Sequence, residues 1–366
     1  MKASEIIDLM NQWAYPYLID EWDNTGFQLG DLEKEVNKVI IALDLDREVL
    51  NEALKEKAEM IITHHPLIFK PLKALRKQNY KERLIIDLIK EDLVVYNAHT
   101  NLDITINGVN DALAEILNLK NYKPLKVTYE EPLYKFVVFV PKSHASTIRE
   151  VLGNEGAGFI GNYSHCTYNI EGIGTFMPLE GTSPYIGEHN KLEEVEEIRI
   201  ETIVEKKDLG RIIKKVLDNH PYEEVAYDIY PLENKGKSFG YGRIGEVDRI
   251  KLIDYLCFIK RQLEVDNLIV YGDLEKEISK VAVCGGSGAS FIYDAYLKGA
   301  DVYITGDVKY HDSQYASELG LIIVDVGHFD TEKVILPVIK EYIEEKTQNS
   351  VSVRIYEKSS PQRVIY

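Results

Sequence analysis

Cysteine is scarce in this 366-residue sequence: Cys166, Cys257 and Cys284 are odd in number, far apart and form no CxxC pair. That excludes a disulfide framework and suits a reducing compartment. No run of 18 apolar residues occurs, and the opening MKASEIIDLMNQWAYPYLIDEW breaks its apolar positions with charged and polar side chains. Neither a membrane span nor a secretory leader is expected, and a cytoplasmic location follows. Positive charge is in deficit, with 43 Lys and Arg against 60 Asp and Glu. The formal charge of −17 repels phosphate backbones and attracts cations, so sequence-independent nucleic-acid binding is disfavoured.

What is there reads as a globular protein. Hydrophobic residues make up 45% of a chain long enough for two or more domains with full cores. In SEIIDLMNQWA, Ile6, Ile7, Met10 and Trp13 recur at helical spacing, which predicts an opening helix capped by Ser4. EWDNTGFQLGD, from Glu21 onward, is turn chemistry around two aromatics expected to be buried, and KVIIALDL then reads as a strand covered on both faces. Strands at 38–44, 59–63 and 93–97 alternate with helices at 47–57, 79–91 and 107–117, the pattern of a parallel or mixed sheet flanked by helices.

The last third repeats this plan. KVIIALD, AEMIITHHP and LVVYNAHTNLD correspond to KVAVCGG, ADVYITGDV and LIIVDVGHFDTE, and the interval from Lys38 to His64 equals that from Lys280 to Gly306. An internal duplication is expected, giving an α/β fold of two pseudo-repeated halves, residues 1–126 and 240–366, that form one metal-binding platform. Residues 127–239 change period to a βαββαβ order, an inserted α+β ferredoxin-like module. ENKGKSFGYGRIG, rich in glycine, reads as its exit linker.

The chemistry sits at strand ends. MIITHHPLIF ends in His64 and His65, VVYNAHTNLD places His99 four residues before Asp103, and IIVDVGHFDTE places His328 four residues before Glu332. Imidazole and carboxylate hold divalent transition metals, and strand ends are where rigid scaffolds present them. Each motif alone has a plain alternative. One of the paired histidines can be a packing group, Asp103 can cap the next helix, and His328 with Glu332 can be an i, i+4 surface contact. Their conjunction at three strand C-termini, expected in one sheet, favours metal. GDVKYHD adds Asp307 and His311 at the strand end matching His64, as acid-base or substrate groups, or as a helix cap and an exposed His. CGGSGAS lacks both the Lys of GxxxxGK and the GxGxxG spacing, so it reads as a tightly packed turn rather than a phosphate cradle.

Taken together, THHPLIFKPLK, NAHTNLD, TGDVKYHD, GHFDTE and the early EWDNTGFQLGD resemble the dinuclear-metal-centre hexameric proteins called GTP cyclohydrolase type 2 homologues. The inserted module is similar to the PII-like or cation-tolerance-like domain of the longer bacterial members. The resemblance implies that His64, His65, Asp103, His328 and Glu332 ligate two divalent transition-metal ions (Zn, Fe, Mn or Co), with His99 near them. It also implies a homohexameric ring with its sites facing an internal cavity. The family label implies hydrolytic opening of the guanine imidazole ring of a nucleotide with release of formate. His99, His311 and Asp307 are then the candidate catalytic groups, and His99 or His311 would carry the proton. Two other readings stay open: a dinuclear phosphoesterase, favoured by Lys70 and Lys73 beside the His pair, and a non-enzymatic metal-binding ring with a sensing or regulatory scaffold role.

Overall fold

Short β-branched runs without polar interruption, KVIIA, MIIT and VVYN among them, form strands that bury both faces, and the helices that cover them carry one apolar side each. The structure is a computed structural model and describes residues 1–358. Helix α1 (Ala3–Trp13) opens the chain, followed by β1 (Gly26–Leu29), β2 (Lys38–Ala42), α2 (Arg47–Glu56), β3 (Met60–Thr63), α3 (Tyr80–Lys90), β4 (Val94–Asn97), α4 (Thr100–Ile104) and α5 (Val109–Ile116). Next come β5 (Lys120–Pro141), α6 (Ala145–Asn154), β6 (Thr167–Phe176), β7 (Glu193–Glu205), α7 (Lys206–Asn219) and β8 (Tyr227–Lys251). The chain continues through α8 (Leu252–Gln262), β9 (Ile269–Tyr271), β10 (Glu277–Ser287), α9 (Ile292–Leu297), β11 (Val302–Gly306), α10 (Tyr310–Glu318), β12 (Ile322–Asp325), α11 (His328–Glu332), α12 (Ile335–Lys346) and β13 (Ser352–Ile355).

Two compact units result, one built from Met1–Tyr129 together with the chain from Phe239 onward, the other from Glu130–Ser238. In the first unit one sheet has the order β1-β4-β3-β2-β13, with β13, β2, β3 and β4 parallel and β1 antiparallel at the edge. The second runs β8-β10-β11-β12-β9, with β10, β11 and β12 parallel and an antiparallel strand on either side. Side-chain alternation sends successive residues into different cores. Ile40, Ala42, Ile61 and Val95 meet α2 and α3, while Val39, Ile41, Met60 and Tyr96 meet α1 and α12. Likewise Val281, Val283, Ile304 and Val324 pack against α8, and Ala282, Tyr303 and Ile323 against α9 and α10. Helix α5 joins the cores of both sheets, with Val109 in one and Leu113 and Ala114 in the other.

In the other unit the strand order is β6-β7-β5-β8, with β7 antiparallel to both of its neighbours. Phe136, Val138, Ile198 and Ile200 pack there against Ile148 and Leu152 of α6 and Ile212 and Val216 of α7.

Three sequence expectations need correction. The N-cap of α1 is Lys2, not Ser4, because Glu5 in the first turn accepts the Lys2 backbone N–H at 2.7 Å and starts the helix earlier. The glycine-rich stretch 233–245 is strand rather than linker. Its glycines serve close backbone approach: a Cβ on Gly236 would lie 2.4 Å from the Glu131 carbonyl oxygen, and one on Gly240 would lie 1.9 Å from that of Lys126. The expected single sheet edge is in fact two edges, since β3 and β4 belong to one sheet and β12 to the other.

Buried Arg243 on β8 ties these parts together. Its guanidinium donates to the Asp111 carboxylate on α5, to the carbonyls of Gly240 and Gly242 at 2.8 Å, and to that of Thr105 at 3.1 Å. Tyr129 and Phe239, where the chain leaves and re-enters the first unit, have ring centroids 6.1 Å apart.

Candidate metal centre

Strand β3 ends at Thr63, and the next two residues turn their imidazoles toward the same place as His99 after β4 and His328 at the start of α11. Each of the four rings is held at Nδ1. His64 donates to the Ala98 carbonyl at 2.8 Å, His65 to Asp44 at 2.9 Å, His99 to Asp23 at 3.0 Å and His328 to Asp307 at 2.7 Å. A carbonyl oxygen only accepts, so the Nδ1 of His64 carries the proton and the Nε2 lone pair is free. Four oriented imidazoles with Nε2 inward are what metal ligation requires, the acceptor at Nδ1 fixing both tautomer and ring angle.

The Nε2 atoms meet the carboxylates of Asp103 on α4 and Glu332 on α11. His65 and His328 Nε2 lie 3.0 and 3.2 Å from Glu332 Oε2 and 3.2 Å from each other. His64 Nε2 lies 3.5 Å from Asp103 Oδ1 and 3.7 Å from Glu332 Oε1. Three triads result, each with its ligand atoms within 4.8 Å: His64, His65 and His99; His65, His328 and Glu332; and His64, Asp103 and Glu332. Two nitrogens on one tetrahedral ion at roughly 2.1 Å stand roughly 3.4 Å apart, close to the spacing of the inward nitrogens.

The donors fit a metal on a second ground. His64 Nε2 and Asp103 Oδ1 are buried without a partner in hydrogen-bond geometry. Buried polar atoms left so are costly unless something satisfies them. Electrostatics agree. Burial and the neighbouring Glu332 push the Asp103 carboxyl well above its ordinary range. Burial also raises Glu332, but the charge of His64 and the hydrogen bonds of His328 and His65 outweigh it and hold Glu332 low. Burial lowers His64. Burial also opposes the charged form of His65, yet hydrogen bonds to Asp44 and Glu332 push it up to about 10. His328 rises to about 9, against burial, through Glu332 and Asp307. Without ions the cluster balances its carboxylates with protons, and cations would replace them.

A glycine makes room. Gly286 has φ +64, and a Cβ there would fall 2.1 Å from Glu332 Oε1. The CGGSGAS turn offers no anion cradle, because the amides of Gly285, Gly286 and Gly288 donate to Asn110, Thr331 and Thr305. Asp307 reaches the cluster through His328. His311 is not brought to it. One residue into α10 it is exposed, with Nδ1 3.5 Å from Gln314 and its ring against Tyr310. Trp22 and Phe27, expected to be buried, are exposed. Trp22 stands edge-on to His99 at 6.0 Å and lies 5.9 Å from Phe69.

The family model described as Duf34/NIF3 (NGG1p interacting factor 3) matches residues 1–361. The chain belongs to the Duf34/NIF3 family. Two of its relatives carry the name GTP cyclohydrolase 1 type 2 homolog. The one from Halalkalibacterium halodurans is 46% identical over 340 residues, 93% of this chain and 91% of that protein. The one from Bacillus subtilis is 43% identical over 335 residues, 91% of this chain and 90% of that protein. The crystal structure of a Bacillus cereus protein related to NIF3 superposes with a TM-score of 0.94 at 44% identity, covering 100% of this chain and 99% of that one. Among the described residues of this Duf34/NIF3 chain, no helix is long and apolar enough to cross a membrane.

Sequence reading missed Asp23 and Asp44. Asp23 was seen as turn chemistry. Asp44, just past β2, stands at the same sheet edge as His64 and His65, and that position was the signal available.

Proposed function

We propose that this Duf34/NIF3 protein holds two divalent transition-metal ions and is a metal-dependent hydrolase of GTP cyclohydrolase type acting on a nucleotide. The convergence of oriented imidazoles on two buried carboxylates, with unpartnered His64 Nε2 and Asp103 Oδ1 among them, carries the reading. His65, His328 and Glu332 would hold one ion and His64, Asp103 and Glu332 the other, Glu332 being common to both triads. Bound there, such ions supply Lewis acidity and an activated water at neutral pH. The chain's own groups do the rest. Asp44, Asp307 and the Ala98 carbonyl orient the ligand imidazoles, and His99, its Nδ1 held by Asp23, offers Nε2 for moving a proton. Exposed Trp22, with Phe69 beside it, offers a ring face on which a heteroaromatic substrate can stack. His311 would serve as proton carrier only through a substrate that reaches α10.

Other parts of the proposal rest on the resemblance and on the strand orders. In each sheet of the first unit three parallel strands consecutive among the strands, β2 to β4 and β10 to β12, lie beside an antiparallel one that precedes them in sequence, β1 and β9, which supports a duplication. The βαββαβ path and β6-β7-β5-β8 order support a ferredoxin-like, PII-like insert. The chain is taken to form a homohexameric ring.

The test is metal analysis and product analysis of the reconstituted protein with GTP and a phosphoester panel, beside Glu332→Ala. Formate release lost in the variant together with bound metal supports the proposal. Phosphate as the product would point instead to a phosphoesterase, for which Lys70 and Lys73 near the His pair supply the phosphate contacts. Two bound ions with no turnover of any compound would leave a non-enzymatic ring.

A further inference from the structure

The unit of residues 130–238 contains a cavity of about 290 Å³ remote in sequence from every metal-ligand candidate. We propose that it binds a small organic cation with an ammonium head. Its walls are aromatic. Tyr222 is the hub, its ring 6.0 Å from Phe176 at 57° and 6.3 Å from Tyr185 at 50°, so three mutually tilted rings line one space. Mutually tilted rings offering their negative faces are the way proteins surround ammonium groups.

The polar lining has one sign. Glu197, Glu223 and Glu224 line the cavity, and no Lys or Arg does. Glu197 is half-buried and fixed, accepting the Tyr222 hydroxyl at 3.0 Å, while its other oxygen occupies the space over Gly174, where a Cβ would lie 2.2 Å away. Glu223 accepts the Ser183 amide at 2.8 Å and ties down the 177–192 loop, which lines the cavity. Arg199 lines an adjoining cavity, where its guanidinium is held by Glu201 at 3.0 Å and lies 6.0 Å from the centre of the Phe139 ring. His220, edge-on behind Tyr222, is kept neutral because burial lowers its affinity for a proton. An apolar guest would leave half-buried Glu197 without a counter-charge, and an anion would be repelled by Glu197 and by exposed Glu223 and Glu224. A cation satisfies both the rings and the charge.

The test is calorimetric titration of the full-length protein with choline, with butylammonium and with 3,3-dimethylbutan-1-ol, the neutral carbon isostere of choline. One of the two cations is expected to bind saturably and roughly tenfold or more tighter than the neutral isostere. Glu197→Gln and Tyr222→Phe, which keep the shape of the wall, are expected to reduce and to leave cation binding respectively, and Tyr222→Ala to abolish it with the circular dichroism spectrum unchanged. Equal binding of the neutral isostere, or no saturable binding of either cation, overturns the proposal. Metal content is unaffected in every arm, so this result stands or falls apart from the metal centre.

Discussion

Asp307 accepts from His328 Nδ1 at 2.7 Å and so fixes where that imidazole points. The residue sits in the left-handed region at φ 56, which Asn also tolerates, so Asp307→Asn preserves the backbone while removing the negative acceptor at 2.7 Å. We expect it to lower metal affinity by roughly 10- to 100-fold, as loss of such supporting carboxylates does, with unchanged circular dichroism. Asp44→Asn at His65 should act alike. Competition against a chromophoric chelator measures both, and unaltered affinity in the pair would mean that the imidazoles are positioned by packing alone. At this scale the sequence was half legible. His64, His65, Asp103, His328 and Glu332, the set the resemblance implies, are brought together, and their motifs could be picked out because each joins imidazole or carboxylate to the end of a strand. Asp23 and Asp44 could not, because a carboxylate that orients a ligand differs from a capping or turn aspartate only through its partner, which lies 76 positions away for Asp23 and 21 for Asp44.

Among elements, β8 and α5 are joined by a charge pair buried from solvent. Removing Arg243 leaves Asp111 buried and uncompensated, which generally costs about 3–5 kcal/mol. Arg243→Met should therefore lower the urea midpoint of the first unit sharply, whereas Arg243→Met combined with Asp111→Leu should recover much of the loss; equal midpoints for single and double variants would contradict this. Most strands were readable because continuous β-branched runs have few other uses in a protein this size. The stretch 233–245 was not, since glycine serves both flexible linkers and strands pressed against a neighbour. Only the Glu131 and Lys126 carbonyl oxygens crowding Gly236 and Gly240 tell the two apart. The assignment of β12 to a second sheet was equally invisible, because pattern gives a strand's faces and not its neighbours.

For the molecule as a whole, the insertion begins and ends at one point of the first unit, where Tyr129 and Phe239 lie together. Replacing Glu130–Ser238 by an Asn-Gly turn should leave a chain that unfolds in one cooperative transition and retains its metal; an insoluble or metal-free product would show that the first unit depends on the insert. Light scattering of the full chain should give six times the 41.9 kDa of one copy if the ring forms. The inward nitrogens of His65 and His328 belong to residues 263 positions apart. An ion gripping both would thus be a clasp on the thread, closing a loop whose closure in an unstructured chain costs on the order of 5 kcal/mol. Fastening and folding become one equilibrium: dialysis against EDTA should lower the melting temperature, and restoring free metal to a thousand times its dissociation constant should return about 4 kcal/mol. A cell that starved this protein of metal would then lose the protein itself, by unravelling and proteolysis, before it accumulated an idle form.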